Sequence, residues 1–233
     1  MSLMNSSFIL QPSSFTLVLA THNPDKVAEI ASLMAGLDLR LRSLADYPEI
    51  GEIEEDGRTF AENAVKKAAT VALATGELAL ADDSGLEVEA LDGRPGILSS
   101  RYAPTSRERN ERLLAELAGV EPERRAARFV CVAALADRQG HAVTRTGICA
   151  GRIALAPAGE GGFGYDPIFI PTGSTNILPE GGTDILPVIH ELTMAQLSRE
   201  EKNRISHRGQ AFRAIRNVLE QVILEHGGLI PIP

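Results

Sequence analysis

Residues 15–37, FTLVLATHNPDKVAEIASLMAGL, decide the fold class. Phe15 to Ala20 is an apolar, partly β-branched run that ends in a turn cluster. From Lys26 onward the apolar positions fall at Val27, Ile30, Leu33, Met34 and Leu37, the spacing of one helix face. The order is strand, loop, helix. Asn23 suits an N-cap, and Pro24 suits the first helical position, where a missing amide donor costs nothing. The loop THNPDK is thus expected to aim free amides and the positive end of a helix dipole at one spot, with the Lys26 charge beside them, an arrangement that stabilises an anion such as phosphate. Any strand–helix unit offers such a terminus, so the loop is informative only in company.

The same periodicities extend along the chain. Thr59 and Glu62 form a capping box for a helix that runs through Phe60, Ala64, Ala68 and Val71 until Gly76 ends it. Leu78 to Ala81 reads as a short buried strand that delivers Asp82 and Asp83 to its C-terminal end, and Leu86 to Leu91 alternates apolar and acidic positions as a strand with one solvated face. A helix is expected over Ser106 to Ala118, its Arg and Glu residues forming a solvated face with local ion pairs. Arg128 to Ala136 and Ala142 to Ala150 flank a turn at Asp137 to Gly140 and predict a hairpin. Gly151 to Ala156 reads as a further strand, and Pro167 to Pro171 resumes the sheet. Thr172 to Leu192 lacks periodicity and reads as a long surface loop. The chain closes on an amphipathic helix through Phe212, Ile215, Val218, Leu219, Val222 and Ile223. Strands alternating with helices, then an antiparallel hairpin, predict an α/β protein with a mixed β-sheet flanked by helices. One domain over residues 15–226 is expected, between a disordered leader at 1–14 and a tail at 227–233.

Composition removes several function classes. The chain has 233 residues, 44% of them hydrophobic, which is enough for a substantial core. A net charge of −8 argues against a duplex-binding surface, because affinity for nucleic acid comes from clustered Lys and Arg. No apolar run has membrane length and no basic residue precedes the patch Phe8 to Leu10, so the cytoplasm is the expected compartment. Cys131 and Cys149 fall on neighbouring strands but not opposite each other, and read as buried thiols. Zinc is poorly supported by dispersed histidines, and neither a nucleophile elbow nor a P-loop lysine motif is present.

Three further clusters carry chemistry. Gly159 to Pro167, GEGGFGYDP, clears space around one aromatic pair and a carboxylate, a costly composition for a plain connector and one suited to holding something flat. Asp82 and Asp83 lie where α/β sheets expose their functional edge, and because neighbouring strand residues point oppositely, one of the two is expected to enter the cleft directly. Glu54, Glu55 and Asp56 offer further oxygen ligands, and oxygen donors near phosphates suggest magnesium. In SREEKNRISHRG, Lys202, His207 and Arg208 are expected just ahead of the closing helix, where Lys202 can meet phosphate while His207 and Arg208 donate to carbonyl oxygens. Together these point to an enzyme acting on a nucleotide.

The segments THNPDKVAEI, EEDGRTFAENAVKKA, ADDSGLEVEALDGRPG, GEGGFGYDPIF and EEKNRISHRG, in this order, closely resemble the inosine/xanthosine triphosphate pyrophosphatase family. The resemblance implies an elongated α/β fold with two lobes around a central nucleotide-binding cleft, commonly a homodimer. It implies magnesium-dependent hydrolysis of ITP, dITP or XTP to monophosphate and pyrophosphate, removing deaminated purines from the nucleotide pool. Carried over by position, Thr21, His22, Asn23, Pro24, Asp25 and Lys26 form the triphosphate loop. Asp83 is general base and metal ligand, Lys26 assists catalysis, and Glu54 or Glu55 is an acidic position near the metal. Ser84, Phe163, Gly164, Tyr165, Asp166 and Lys202 contact substrate, and His207 with Arg208 reads the base. His22 departs from the glycine of many relatives, and the segment Thr172 to Leu192 is longer than usual. A purine 6-carbonyl would accept from His207 and Arg208, whereas adenine would leave those donors unpaired. Guanine shares that carbonyl, so its rejection requires a contact near the 2-amino group. A broader nucleotide pyrophosphatase and a noncatalytic nucleotide sensor are the competing readings.

Overall fold

The structure, a computed structural model, describes residues 15–172 and 191–226. The expected leader, the tail and nearly all of the loop expected at Thr172 to Leu192 lie outside the described residues. The opening strand and helix form as the periodicity predicts, as β1 (Phe15–Leu19) and α1 (Pro24–Leu33). A strand not anticipated above follows, β2 (Leu39–Ser43), whose sequence LRLRS alternates strictly and so carried the signal. Next come α2 (Phe60–Thr75), β3 (Leu78–Val88), α3 (Ser106–Glu116), the hairpin β4 (Ala126–Ala136) and β5 (Ala142–Ile153), β6 (Phe169–Pro171), α4 (Arg199–Ile205) and α5 (His207–His226).

The six strands form one mixed sheet in the order β2-β1-β3-β4-β5-β6. β1 pairs in parallel with β2 and β3, and the remaining pairings are antiparallel. Two strands are longer than predicted. β3 does not stop at Ala81: it runs for 11 residues in all, through both aspartates and Ser84-Gly85, because β4 pairs with it from Ala79 to Val88. Asp82 and Asp83 are therefore in mid-strand rather than at its end. They nevertheless lie beyond the last parallel pair, Leu19 with Leu80, where β1 turns away and leaves the edge of β3 open. Likewise Gly151 to Ile153 continues β5 instead of starting a new strand, and the alternation over Leu86 to Val88 gives way to a 3-10 turn at Glu89–Leu91.

Side chains on the pleat sort into two layers. Leu17, Leu19, Leu78, Leu80, Cys131, Ala133 and Leu135 pack beneath α1 and α5, burying Ile30, Met34, Phe212, Ile215 and Leu219. Val18, Ala79, Ala81, Val130, Val132 and Ala134 pack beneath α2 with Phe60, Ala64, Ala68 and Val71. A third cluster, including Leu86, Leu113, Phe129, Ile153 and Phe169, fills the far end of the sheet. Cys131 faces Gly147 and Cys149 faces Phe129, so the two buried thiols stay free. Among the described residues no helix is long and apolar enough to cross a membrane.

Capping follows the sequence with one change. Thr59 accepts from the Glu62 amide, but the Glu62 carboxylate turns to the Arg58 amide at 2.7 Å, so half of the expected box forms. The helix ends at Gly76 in a left-handed conformation, φ 67°. On α3 the expected ion pairs appear as Arg107–Glu111 and Arg112–Glu116. His207 and Arg208 are not ahead of the closing helix but are its first residues, after a short α4 capped by Ser198.

Gly147 fixes how closely α5 lies on β5. A Cβ there would run into the His207 carbonyl and the Ala211 amide, backbone groups that cannot swing aside. Gly147→Ala is expected to destabilise the fold by upwards of about 2 kcal/mol, read as a lower urea midpoint at unchanged slope.

Candidate active site

The alternation of β3 sends its two aspartates to opposite layers, and each finds cations there. Asp82 follows Leu78 and Leu80 to the face covered by α1 and α5. Lys26 Nζ from α1 donates to both of its oxygens, at 3.0 and 3.1 Å, Ser84 Oγ at 2.8 Å, and Arg208 Nε from α5 at 3.3 Å. Burial would raise its carboxyl, but the charges of Lys26, Arg208 and Lys67 win and hold it far below the usual range. Arg208 gives a second hydrogen bond to Glu29 at 2.9 Å, and the paired carboxylates keep it protonated despite burial.

Asp83 follows Ala79 and Ala81 to the α2 face. Asn63 Nδ2 donates to it at 3.0 Å, the Ser84 amide at 3.1 Å, and the Lys67 ammonium stands 3.7 Å away. Lys67 also bonds Glu55 at 2.6 Å. Burial disfavours the Lys67 cation, yet Asp82, Asp83 and Glu55 together outweigh it and keep the group charged. Because that one cation is shared, its pull does not cancel the burial of Asp83, whose carboxyl is raised above the ordinary aspartate value. Both aspartates line the opening, where one was expected.

Asn63 and Lys67 were missed by the sequence reading, although a signal existed. They stand on the same stripe of α2 as Phe60, Ala64, Ala68 and Val71, and an amide and an ammonium on a buried stripe call for polar partners. Glu29 interrupts the buried side of α1 in the same way.

The N-terminus of α1 corrects one expectation. Its first amides are not free: Asn23 Oδ1 accepts from Asp25 and Lys26, at 2.9 and 3.3 Å, and Thr21 Oγ1 accepts from the Asn23 amide at 3.1 Å. An efficient N-cap consumes the donors, leaving Lys26 as the charge this element offers. Thr21, His22, Asn23 and Lys26 line a hollow of about 590 Å³ together with Glu54, Glu55, Lys67, Asp82, Ser100 and Arg101. Pro24 is exposed and contributes by opening the helix. Of the two glutamates, Glu54 is exposed, while Glu55 is half-buried and meets Lys67.

A second hollow, about 290 Å³, adjoins the first at Asn23, Lys26, Glu55 and Ser100 and is lined by Asp83, Ser84 and the Phe163–Asp166 loop, with Lys202, His207 and Arg208. Asp25 also lines it. The glycine-rich loop folds around its own carboxylate: Asp166 accepts from the Phe163 amide and from Lys202, both at 2.8 Å. Gly162, φ 70°, is required there, since a Cβ would strike that carboxylate. The two aromatics divide the work. Tyr165 is buried, its hydroxyl bonded to the Ser99 carbonyl at 2.9 Å, so it anchors the loop. Phe163 presents its ring to the hollow, with Lys202 and Arg208 at 4.6 and 5.2 Å from its centroid. Lys202 thus sits at the aromatic end of the cleft.

His207 stacks on Phe129, centroids 4.5 Å apart and planes at 11°, and its Nδ1 is buried with no partner among the described residues. Burial, then the charges of Arg208 and Lys202, push its pKa well below 6.5, so the ring is neutral near pH 7. Arg208 has spent two of its five N–H donors on Glu29 and Asp82, leaving others for a ligand. A flat ligand carrying a carbonyl would fit against Phe163 beside these donors, with an anionic tail extending past Asp83 toward Lys26 and Lys67.

Comparison with known proteins shows what the chain is similar to. The model of the Ham1 family matches residues 17–218. A dITP/XTP pyrophosphatase of Nitratidesulfovibrio vulgaris is 48% identical over 209 residues, covering 86% of this chain and 93% of that protein. A dITP/XTP pyrophosphatase of Listeria monocytogenes is 44% identical over 210 residues, covering 89% of this chain and 96% of the relative. The structure of a HAM1 protein from Coxiella burnetii superposes with a TM-score of 0.74 at 39% identity, covering 89% of this chain and 99% of that one.

The neutral His207 has a consequence for stability. Between its depressed folded pKa and the value of 6.5, the unfolded chain holds more protons than the folded one, so stability falls as pH drops through that window. His207→Gln is expected to flatten the decline below pH 6.5, its contribution being at most about 1.4 kcal/mol per pH unit. Urea unfolding of both proteins at pH 7.5 and about pH 5.5 checks this.

Proposed function

The chain belongs to the Ham1 family, and from that premise we propose that it hydrolyses noncanonical purine nucleoside triphosphates such as dITP and XTP to the monophosphate and pyrophosphate. The observation that carries this reading is the continuity of the two hollows through Lys26 and Glu55: an aromatic end with carbonyl-directed donors, and a cationic end suited to phosphates.

Asp83 takes the role of general base toward the attacking water. Its raised pKa makes it a better proton acceptor than an exposed aspartate, and the Asn63 and Ser84 bonds fix its carboxylate while it works. Lys26 and Lys67 offer the charge that builds on the pyrophosphate leaving group a preorganised partner, which is the larger part of catalysis in phosphoryl transfer. At the other end, Phe163 stacks on the purine, and Arg208 and His207 meet the 6-carbonyl. Lys202 holds the Phe163 loop through Asp166.

Magnesium fits this donor set as a shared ion. Among the described residues no group of three or more His, Cys, Asp or Glu side chains could hold a metal by itself. Asp83 and Glu55 face a common cation, Lys67, and a hard ion that keeps waters and takes oxygens from substrate needs only one or two carboxylates. Glu55 and Asp83 would hold it; bound there, it would neutralise phosphate charge and polarise the scissile bond. The same reading carries a homodimer as the assembly.

ITP, dITP, XTP, GTP and ATP, incubated with and without magnesium and resolved by chromatography, test the assignment. The inosine and xanthosine nucleotides are expected to yield monophosphate and pyrophosphate faster than ATP; orthophosphate as first product would reassign the bond cleaved. Asp83→Asn is expected to lower kcat by about a hundred- to a thousandfold at unchanged folding. Near-normal turnover would remove Asp83 from the chemistry.

A further inference from the structure

Two cations of the cleft meet on one buried carboxylate. Lys26 stands where the two hollows adjoin, Arg208 lines only the aromatic one, and both donate to Asp82, whose side chain is 2% exposed. The Oδ2 atom of Asp82 is crowded, accepting from Lys26 at 3.1 Å, Ser84 at 2.8 Å and Arg208 at 3.3 Å. Helix α1 closes the circuit, because Glu29, three residues after Lys26, takes a second donor of Arg208 at 2.9 Å. Neither cation can shift without changing what Asp82 offers the other.

We propose that Asp82 is a positioning residue that couples reading of the base by Arg208 to placement of Lys26 against the phosphates, so that the correct base is expressed in turnover as well as in binding. The inference rests on the pyrophosphatase reading above. A ligand carbonyl bound by the remaining N–H donors of Arg208 pulls the guanidinium away from Asp82, and whatever hold on Arg208 the carboxylate yields is available to Lys26 and Ser84. Sites joined in this way have a coupling free energy, which a double-mutant cycle measures directly. A buried ion cluster that serves only the fold couples its members in stability, but gives no reason for ITP and ATP turnover to respond differently when Asp82 is changed.

The test is a cycle of Lys26→Gln, Arg208→Gln and the double variant, in the natural and the Asp82→Asn backgrounds, with kcat and KM measured for ITP and ATP. In the natural background the double variant should retain at least about tenfold more kcat/KM for ITP than the product of the single losses, and this surplus should vanish with Asp82→Asn. Asp82→Asn alone should lower kcat for ITP by a larger factor than kcat for ATP, narrowing the preference. Independent, multiplicative losses at Lys26 and Arg208 with Asp82 intact overturn the proposal, a result that requires no Asp82 variant to fold. Equal losses of ITP and ATP turnover in a folded Asp82→Asn protein, verified by its thermal midpoint, overturn it too. If the unmodified protein releases no pyrophosphate from ITP, the pyrophosphatase reading itself has failed. With that release present, the cycle bears on Asp82 alone.

Discussion

The site depends on the pleat of one strand. β3 keeps its two-residue alternation unbroken from Leu78 to Val88, held by β4 along nearly its whole length. Leu78, Leu80 and Asp82 are committed to the α1/α5 layer, and Ala79, Ala81 and Asp83 to the α2 layer. A slip of one residue would send each aspartate to the other's partners and expose the apolar set. The end of β1 then decides where the pattern opens: up to Leu80 both neighbours of β3 are filled, and beyond it the strand edge faces the cleft.

Around this strand the helices carry polar groups where packing alone would choose apolar ones. Asn63 and Lys67 on α2, Glu29 on α1, and His207 and Arg208 on α5 are all buried. The first three and Arg208 are tolerable because a partner of complementary charge or hydrogen-bonding type stands opposite, Asp83, Glu55, Arg208 and Asp82 in turn, while His207 is neutral and stacks on Phe129. Removing one member would leave another buried and unpaired, the costly direction of change. Glu29 Oε1 and His207 Nδ1 are left over, buried and unbonded among the described residues.

The glycine-rich loop solves a different problem, that of holding one aromatic ring at a polar opening. Asp166 ties the loop to Lys202 of α4, and Tyr165 ties it to the Ser99 carbonyl, so Phe163 is supported from two directions. Two cations, Lys202 and Arg208, stand over its ring and hold it electrostatically.

Much of the architecture was legible because it is local. The Asn23 cap, Pro24, the Gly76 stop and the hairpin around Asp137 to Gly140 are backbone preferences written within a few residues. The recurrent motifs likewise carried the family. Strand ends were less legible: β3 and β5 run past predicted boundaries because pairing with β4 and β6 overrides the glycines that read as breaks. Long-range pairing also decided what no local pattern could: that Glu55 rather than Glu54 would meet Lys67, and that Asp82 would join Lys26 to Arg208, a residue 126 positions away. Sequence fixes which side chains each face presents, since helix and strand periods are properties of the backbone. Which charges meet is decided by how those faces pack, and that is a property of the whole fold.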